Sequence, residues 1–354
     1  MSIRQRGKSW VVDIKDINGK RIRKTYKTKN EAKLALSEMQ INKAKGFSNV
    51  VNESLTMKQA CEYFINIYAK LHCKAKTFDE YERIINKEII PVLGDTKLIQ
   101  LTKMQIEYFI KNLTDKGLSN ATINKYITLI GSIIERQIEN GNIYQNVAKK
   151  IKKLSNNSQE ARALTPNEIS IVLDTCKKIK PAFYPMLYTA VKTGLRRGEL
   201  IALMWENIDF ERNTILVKYS EDRGVLTNPK TQYSIRYVDM VDSVKQILLE
   251  QKMRFGSTSK FVFPNSDGNM YIGNNVAKRL FIPVMKACNI GHFRFHDLRH
   301  TYATQLIENK CNPRYVQEQL GHSSSSITLG IYTHSQDESR EYAKTIIENL
   351  DKVA

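Results

Sequence analysis

Hydrophobic residues change rhythm along this chain, and each change marks a different kind of structure. Over residues 9–14 (SWVVDI) and 21–27 (RIRKTYK) the pattern is that of extended chain, and Asn18 and Gly19 between them can supply the two positive φ angles of a tight hairpin turn. From Thr28 the period becomes helical. Ala32, Ala35, Leu36 and Met39 form one stripe, and Thr28 with Glu31 three residues on makes a capping box. Residues 1–50 therefore predict a small β-sheet followed by a helix.

Between 54 and 151 the spacing is helical throughout. Thr56 with Gln59, Thr77 with Glu80, Thr102 with Gln105 and Ser119 with Thr122 are expected to start four helices, and Gly94, Gly117 and Gly141 to end them. The expected product is an all-α domain. A polar stretch follows, KLSNNSQEARA at 153–163, which sets a linker over 152–164. Thr165, Pro166 and Glu168 then spell a new helix start. Over 165–354 helical runs flank two strand candidates, 214–219 (TILVKY) and 235–240 (IRYVDM), so the last domain reads as mixed, mainly-α (α+β).

Charge adds a partner to this outline. The 354 residues carry a formal net charge of +19, and 42% hydrophobic content can supply a core to each domain. An excess of this sign points to a polyanion, for which nucleic acid is the commonest soluble candidate. Residues 1–50 hold 13 Lys and Arg against 4 Asp and Glu, 51–160 hold 16 against 12, and 161–354 hold 26 against 20. Nearly half the excess thus sits on the predicted small sheet, and Arg4, Arg6, Lys20, Arg21, Arg23, Lys24 and Lys27 are its candidate DNA contacts. Single lysines on the helical domain, such as Lys87 and Lys125, read equally well as solvent-facing. Apolar runs are short and the N-terminus is polar and basic, so no membrane span or signal peptide is expected. Five widely spaced cysteines without a CxxC pair suit reduced thiols in a cytoplasm.

The last domain concentrates the chemistry. Five of the six histidines fall between 292 and 334, which calls for a metal test. His296 and His300 are four apart, but the Glu of HExxH is missing and no cysteine or carboxylate nearby completes a ligand set, so no metal or other cofactor is expected. His296 and Arg299, three apart near a helix start, instead suit a phosphate. Upstream, TGLRRGEL (193–200) offers Arg196 and Arg197, with Glu199 able to hold one of them. Lys230 lies in the loop expected between the two strands, where a lysine could protonate a leaving oxygen; Lys218 and Lys192 are alternatives for that role. QLGHSSSSITLGIYTH (319–334) adds Gly321 and His322 at a helix end, and then Tyr332, which would need cationic surroundings to act as a nucleophile.

In this order the residues resemble the active site of the tyrosine recombinase family, the phage-integrase type of site-specific recombinase. TGLRRGEL resembles that family's first arginine box, and HDLRHTYAT with QLGH and IYTH resembles its second. The likeness implies a core-site-binding helical domain over 54–151 and an arm-site-binding domain over 1–50. It further implies that Arg196 and Arg299 grip the non-bridging oxygens of a scissile phosphate, with His322 on a phosphate oxygen and Lys230 protonating the departing 5′ oxygen. His296 assists proton transfer, Glu199 supports the arginines, and Tyr332 becomes a 3′-phosphotyrosine. Arg197 matches no catalytic position and is read as structural or as a DNA contact.

The implied partners are core and arm sites in double-stranded DNA, three further copies of the chain in a tetramer, a host DNA-bending protein and an excision factor, all in a bacterial cytoplasm. Integration and excision of a mobile element is the expected role, because shorter chromosome-dimer resolvases lack the basic first domain. A non-catalytic DNA clamp and a type IB topoisomerase are the alternatives. Beyond Tyr332, residues 337–353 predict a helix with Tyr342, Ile346, Ile347 and Leu350 on one apolar stripe, able to dock on its own domain or on a neighbour.

Overall fold

The structure is a computed structural model that describes residues 2–15, 19, 21–44, 52–155, 162–228 and 235–321. Asn18, Lys20, Lys230, His322, Tyr332 and the helix expected over 337–353 lie outside the described residues. The chain divides into two compact units, Met1–Ser158 and Gln159–Ala354.

The first unit holds two separate apolar clusters. Strands β1 (Ser2–Arg6), β2 (Ser9–Lys15) and β3 (Arg21–Tyr26) form an antiparallel sheet in that order, and α1 (Lys29–Ala44) packs on it. Pairing places Asp13 opposite both Ser2 and Arg23, and Val11 opposite both Arg4 and Thr25. Because side chains alternate, Val12, Ile14 and Ile22 face the helix and bury against Ala32 and Met39, while Arg4, Arg6, Arg21 and Arg23 share the opposite face. The capping box of α1 is made as expected: the Glu31 N–H donates to Thr28 Oγ1 at 3.2 Å and the Thr28 N–H to Glu31 Oε2 at 3.3 Å. Strand β1 escaped the apolar pattern because SIRQR offers a single apolar side chain to the core.

Helices fill the rest of this unit. α2 (Met57–Tyr63) runs on through π-helical residues Phe64–Ala69 and a short turn Lys70–His72, and α3 (Ala75–Ile84) likewise through Ile85–Ile89 and Ile90–Leu93. α4 (Lys103–Asp115) and α5 (Asn120–Glu139) complete the set. Phe64, Ile85, Phe109 and Ile130 meet in its core, each contributing roughly 1.5–3 kcal/mol by leaving water. Thr56 with Gln59 and Thr102 with Gln105 form reciprocal capping boxes, and Ser119 Oγ accepts from the Thr122 N–H. Thr77 does not cap. The helix starts earlier, at Ala75, and the Thr77 N–H already donates to the Lys74 carbonyl at 2.9 Å. Past the helices, Asn124 exchanges two hydrogen bonds with the Leu154 backbone, at 2.8 and 2.9 Å.

In the second unit, α6 (Pro166–Ile179), α7 (Tyr184–Thr193) and α8 (Arg197–Ile201) precede a small sheet of β4 (Ile208–Asp209), β5 (Thr214–Val217) and, later in the chain, β8 (Arg236–Asp239). Both predicted strands are present and shorter than their apolar runs. Between β5 and β8 lies a hairpin that the pattern did not announce, β6 (Ser220–Asp222) and β7 (Val225–Thr227), turned by Arg223 and Gly224 at φ 55° and 81°. α9 (Asp242–Phe255), α10 (Ile282–Ala287), α11 (Asp297–Glu308) and α12 (Pro313–Leu320) follow. Leu187, Leu200, Ile215, Val238, Leu248 and Phe281 belong to one core, and Ala303, Ile307, Val316 and Leu320 join α11 to α12. No described helix is long and apolar enough to cross a membrane.

Candidate active site

Helix α7 ends at Gly194 in the left-handed conformation, φ 62°. A Cβ there would lie 2.5 Å from Tyr302 Cδ1 and 2.8 Å from Leu320 Cδ2, so only glycine lets this corner press against α11 and α12. Arg196, two residues on, caps α8. Its backbone N–H donates to Glu199 Oε2 and its Nη1 to Glu199 Oε1, both at 2.8 Å, while Nη2 reaches the Gly321 carbonyl at 3.2 Å. The expected support of an arginine by Glu199 is present, and it includes the backbone.

Glu199 is 6% exposed, and a buried carboxylate held by one half-exposed arginine would be costly. A second arginine completes the arrangement. Arg236, on β8 and also buried, donates Nη1 to Glu199 Oε1 at 3.0 Å and Nη2 to Glu199 Oε2 at 2.9 Å. Burial pushes the Glu199 carboxyl up, but the hydrogen bonds and charge of Arg236 and the charge of Arg196 outweigh it and leave the group lowered to about 2.

Arg299, on the first turns of α11, is 4% exposed. Its Nη1 donates to the Gly194 carbonyl at 3.2 Å and its Nη2 to the Leu320 carbonyl. Arg236 Nε donates to the Gln319 carbonyl at 2.7 Å. Three guanidiniums from three elements therefore secure three successive carbonyls, Gln319, Leu320 and Gly321, at the negative end of α12. Burial, then the charge of Arg196, lowers Arg299 to about 9, which still leaves it protonated at neutral pH. Three cations against one carboxylate leave this cluster with a positive excess suited to a phosphodiester and to the further negative charge of its transition state. Helix α12 is itself fixed to β8. Tyr315 Oη donates to Asp239 Oδ2 at 2.6 Å, Gln319 Nε2 donates to the same oxygen at 3.0 Å, and the Asp239 N–H donates to Gln319 Oε1.

His296 caps α11 at the edge of this cluster. Partial burial, followed by the charges of Arg299 and Arg196, holds its imidazole below 6.5. The helix N-terminus acts in the same direction. Neutral at pH 7, it can accept a proton. Protonation needs a pH below the ordinary imidazole range, so if the chain cleaves DNA as the resemblance implies, the acid limb of single-turnover cleavage is expected below pH 6.5, and His296→Asn is expected to remove that limb. A limb centred at or above the ordinary value, or one unchanged in the variant, would exclude His296 as the proton acceptor.

The structure thus brings together Arg196, Glu199, His296 and Arg299 of the residues singled out in the sequence. It adds Arg236, for which the sequence gives only an arginine at alternate spacing from Val238 and Met240 in the second strand run. Arg197 turns away from this cluster. Its guanidinium and Glu221 Oε2 fill the space that a Gly273 Cβ would take. In the first unit, Arg21 and Arg23 both hold the buried Asp13, Arg21 through Nε and Nη2 at 2.8 Å and Arg23 through Nε at 3.0 Å. These bonds leave further N–H groups on the sheet face they share with Arg4 and Arg6. Lys24 pairs in register with Val12 on the helix-side face, and the Lys27 N–H donates to Glu31 at the start of α1.

Comparison with known proteins reaches all three predicted domains. The phage integrase family matches residues 162–339, the phage integrase N-terminal SAM-like domain matches 56–114, and the arm DNA-binding domain matches 2–43. A "tyrosine recombinase XerC-like" protein of Caldanaerobacter subterraneus subsp. tengcongensis is 29% identical over 359 residues, spanning 90% of each chain. The ICEBs1 integrase of Bacillus subtilis is 26% identical over 287 residues, 76% of this chain and 77% of its own. Among solved structures, the Tn1549 transposon integrase in complex with transposon right end DNA matches with a TM-score of 0.72 at 22% identity, covering 84% of this chain and 100% of that one. A lambda integrase tetramer bound to a Holliday junction matches with a TM-score of 0.62 at 20% identity, covering 91% and 96%.

Proposed function

The chain belongs to the phage integrase family of tyrosine recombinases, and we propose on that footing that it integrates and excises a mobile element by site-specific cleavage and rejoining of DNA. In this reading Tyr332 Oη attacks the scissile phosphorus, its proton passing toward His296. The bond to the 5′ oxygen breaks, and Lys230 protonates the departing oxygen. Arg196, Arg299 and His322 hold the non-bridging oxygens while charge builds on them. The resulting 3′-phosphotyrosine is a phosphodiester, so a 5′-hydroxyl from the partner duplex can reverse the step on a new strand without ATP. Four protomers on two core sites would exchange strands in pairs, with a host DNA-bending protein and an excision factor setting geometry and direction. The basic first domain favours a mobile-element role, as do the names of the ICEBs1 and Tn1549 transposon integrases that the chain is similar to.

The observation that carries this reading is the convergence of Arg196 and Arg299 on the end of α12, with a buried carboxylate already committed to holding the frame. Its test is covalent trapping. The native chain is incubated with nicked duplexes from a library of host–element junctions, run on denaturing gels, and the DNA-linked peptide is mapped by mass spectrometry. A junction-specific adduct on the peptide holding Tyr332 is expected. Binding without an adduct would leave the non-catalytic clamp, and adducts on every sequence alike would leave a type IB topoisomerase.

A division of labour between domains follows. Replacing Arg4, Arg6, Arg21 and Arg23 together with glutamine is expected to abolish arm-site binding in gel-shift titrations. Each single replacement that removes a phosphate contact should flatten the log–log salt slope by about 0.9. Cleavage of short core substrates should be unchanged; equal loss of both activities would contradict separate arm and core functions.

A further inference from the structure

The structure assigns Arg236 the part of a positioning residue for the strand-cleaving centre: it holds Glu199 and the end of α12 in one fork, and thereby sets where Arg196 and the backbone leading to His322 stand. This inference rests on the recombinase reading above. Arg236 is 8% exposed, and its Nη1, Nη2 and Nε each already donate to a protein acceptor, so its part is to position other groups. Its Nη1 and Nη2 donate to the two Glu199 oxygens and its Nε to the Gln319 carbonyl, so each of the three nitrogens takes part. Each Glu199 oxygen in turn accepts one bond from Arg236 and one from Arg196, the backbone N–H on Oε2 and Nη1 on Oε1.

The carboxylate is therefore a hinge pin with an arginine on either side. Remove Arg236 and Glu199 keeps only Arg196, the half-exposed partner, while the Gln319 carbonyl loses its donor one residue before the carbonyl that Arg299 holds. Rigid forks of this kind are what arginine supplies and lysine does not. A lysine at 236 could satisfy the carboxylate or the carbonyl, but a single ammonium cannot reproduce both at these distances. An error of about 1 Å in a group aligned on a transition state can cost roughly 100-fold in rate.

The experiment measures single-turnover cleavage of a nicked core substrate at saturating DNA, with dissociation constants and melting temperatures taken on the same proteins. Arg236→Met is expected to cleave about 100-fold more slowly while binding core DNA within about threefold of the native chain. Arg236→Lys, which keeps the charge and is the variant to use should the first fail to fold, is expected to lose about 10-fold. A cycle with Glu199→Gln separates this part from simple stability. If Arg236 acts through Glu199, the double variant is no slower than the slower single one, whereas independent effects multiply. Cleavage by Arg236→Met at near-native rate, losses that multiply in the double variant, or a rate restored merely by assaying further below the melting temperature would overturn the assignment. Failure of the native chain itself to form an adduct would instead remove the recombinase reading.

Discussion

A Tyr332→Phe variant is expected to bind core-site DNA as the native chain does and to form no covalent adduct, the largest effect expected of any single substitution in this protein. The change deletes one oxygen and little volume, so binding, which rests on many phosphate contacts, has no reason to fall. Two other tyrosines stand close to the arginine cluster, and the surroundings of both disfavour attack. Tyr302 packs against Gly194, and burial pushes its phenol up to about 12. Tyr315 is pushed up as well, by burial and by the Asp239 carboxylate to which its hydroxyl already donates. Neither is in a state to lose a proton near pH 7. Tyr332 lies eleven residues past Gly321, a stretch that can span up to roughly 36–40 Å when extended, so reach does not limit it. Tyr302→Phe and Tyr315→Phe should both still give an adduct on denaturing gels. A residual adduct with Tyr332→Phe would mean that another residue attacks.

The features that sequence exposes best are those whose cause is local. Thr28 with Glu31, Thr56 with Gln59, Thr102 with Gln105 and Thr165 with Glu168 each satisfy helix donors across three residues, and all four boxes form. Thr77 fitted the same rule and failed, because capping competes with helix starts a few residues away, and the turn from Lys74 forms first in the chain. Arg196, His296 and Arg299 were legible because their boxes are short and ordered. Arg236 was not. Its partner Glu199 lies 37 residues upstream and its carbonyl acceptor 83 downstream, so nothing near it in the chain announces a buried charge. The same reasoning applies to strand β1, which is specified by pairing with β2 rather than by its own composition.

Arg299→Lys is the substitution that separates a guanidinium frame from mere positive charge, and its expected cost is about 1000-fold in single-turnover cleavage, the upper range for removing one preorganised donor group. Arg299 joins the Gly194 corner to the end of α12 with two nitrogens at once, and a lysine has only one. Charge is lost as well as shape. At this site burial and neighbouring cations bring even a guanidinium down to about 9, and an ammonium, whose ordinary value is about 10.4, starts lower still. The lysine is therefore expected to lose part of its charge near neutral pH. The sign of its pH dependence follows, since the useful form is the protonated one: residual cleavage by the variant should fall as pH rises toward 8, where native Arg299 keeps its charge. Core-DNA affinity should change little, because most phosphate contacts lie elsewhere on the protein. A lysine variant that cleaves within about 10-fold of the native rate, with no decline at higher pH, would show that charge alone suffices at position 299 and that the paired carbonyl contacts do not set the transition-state geometry.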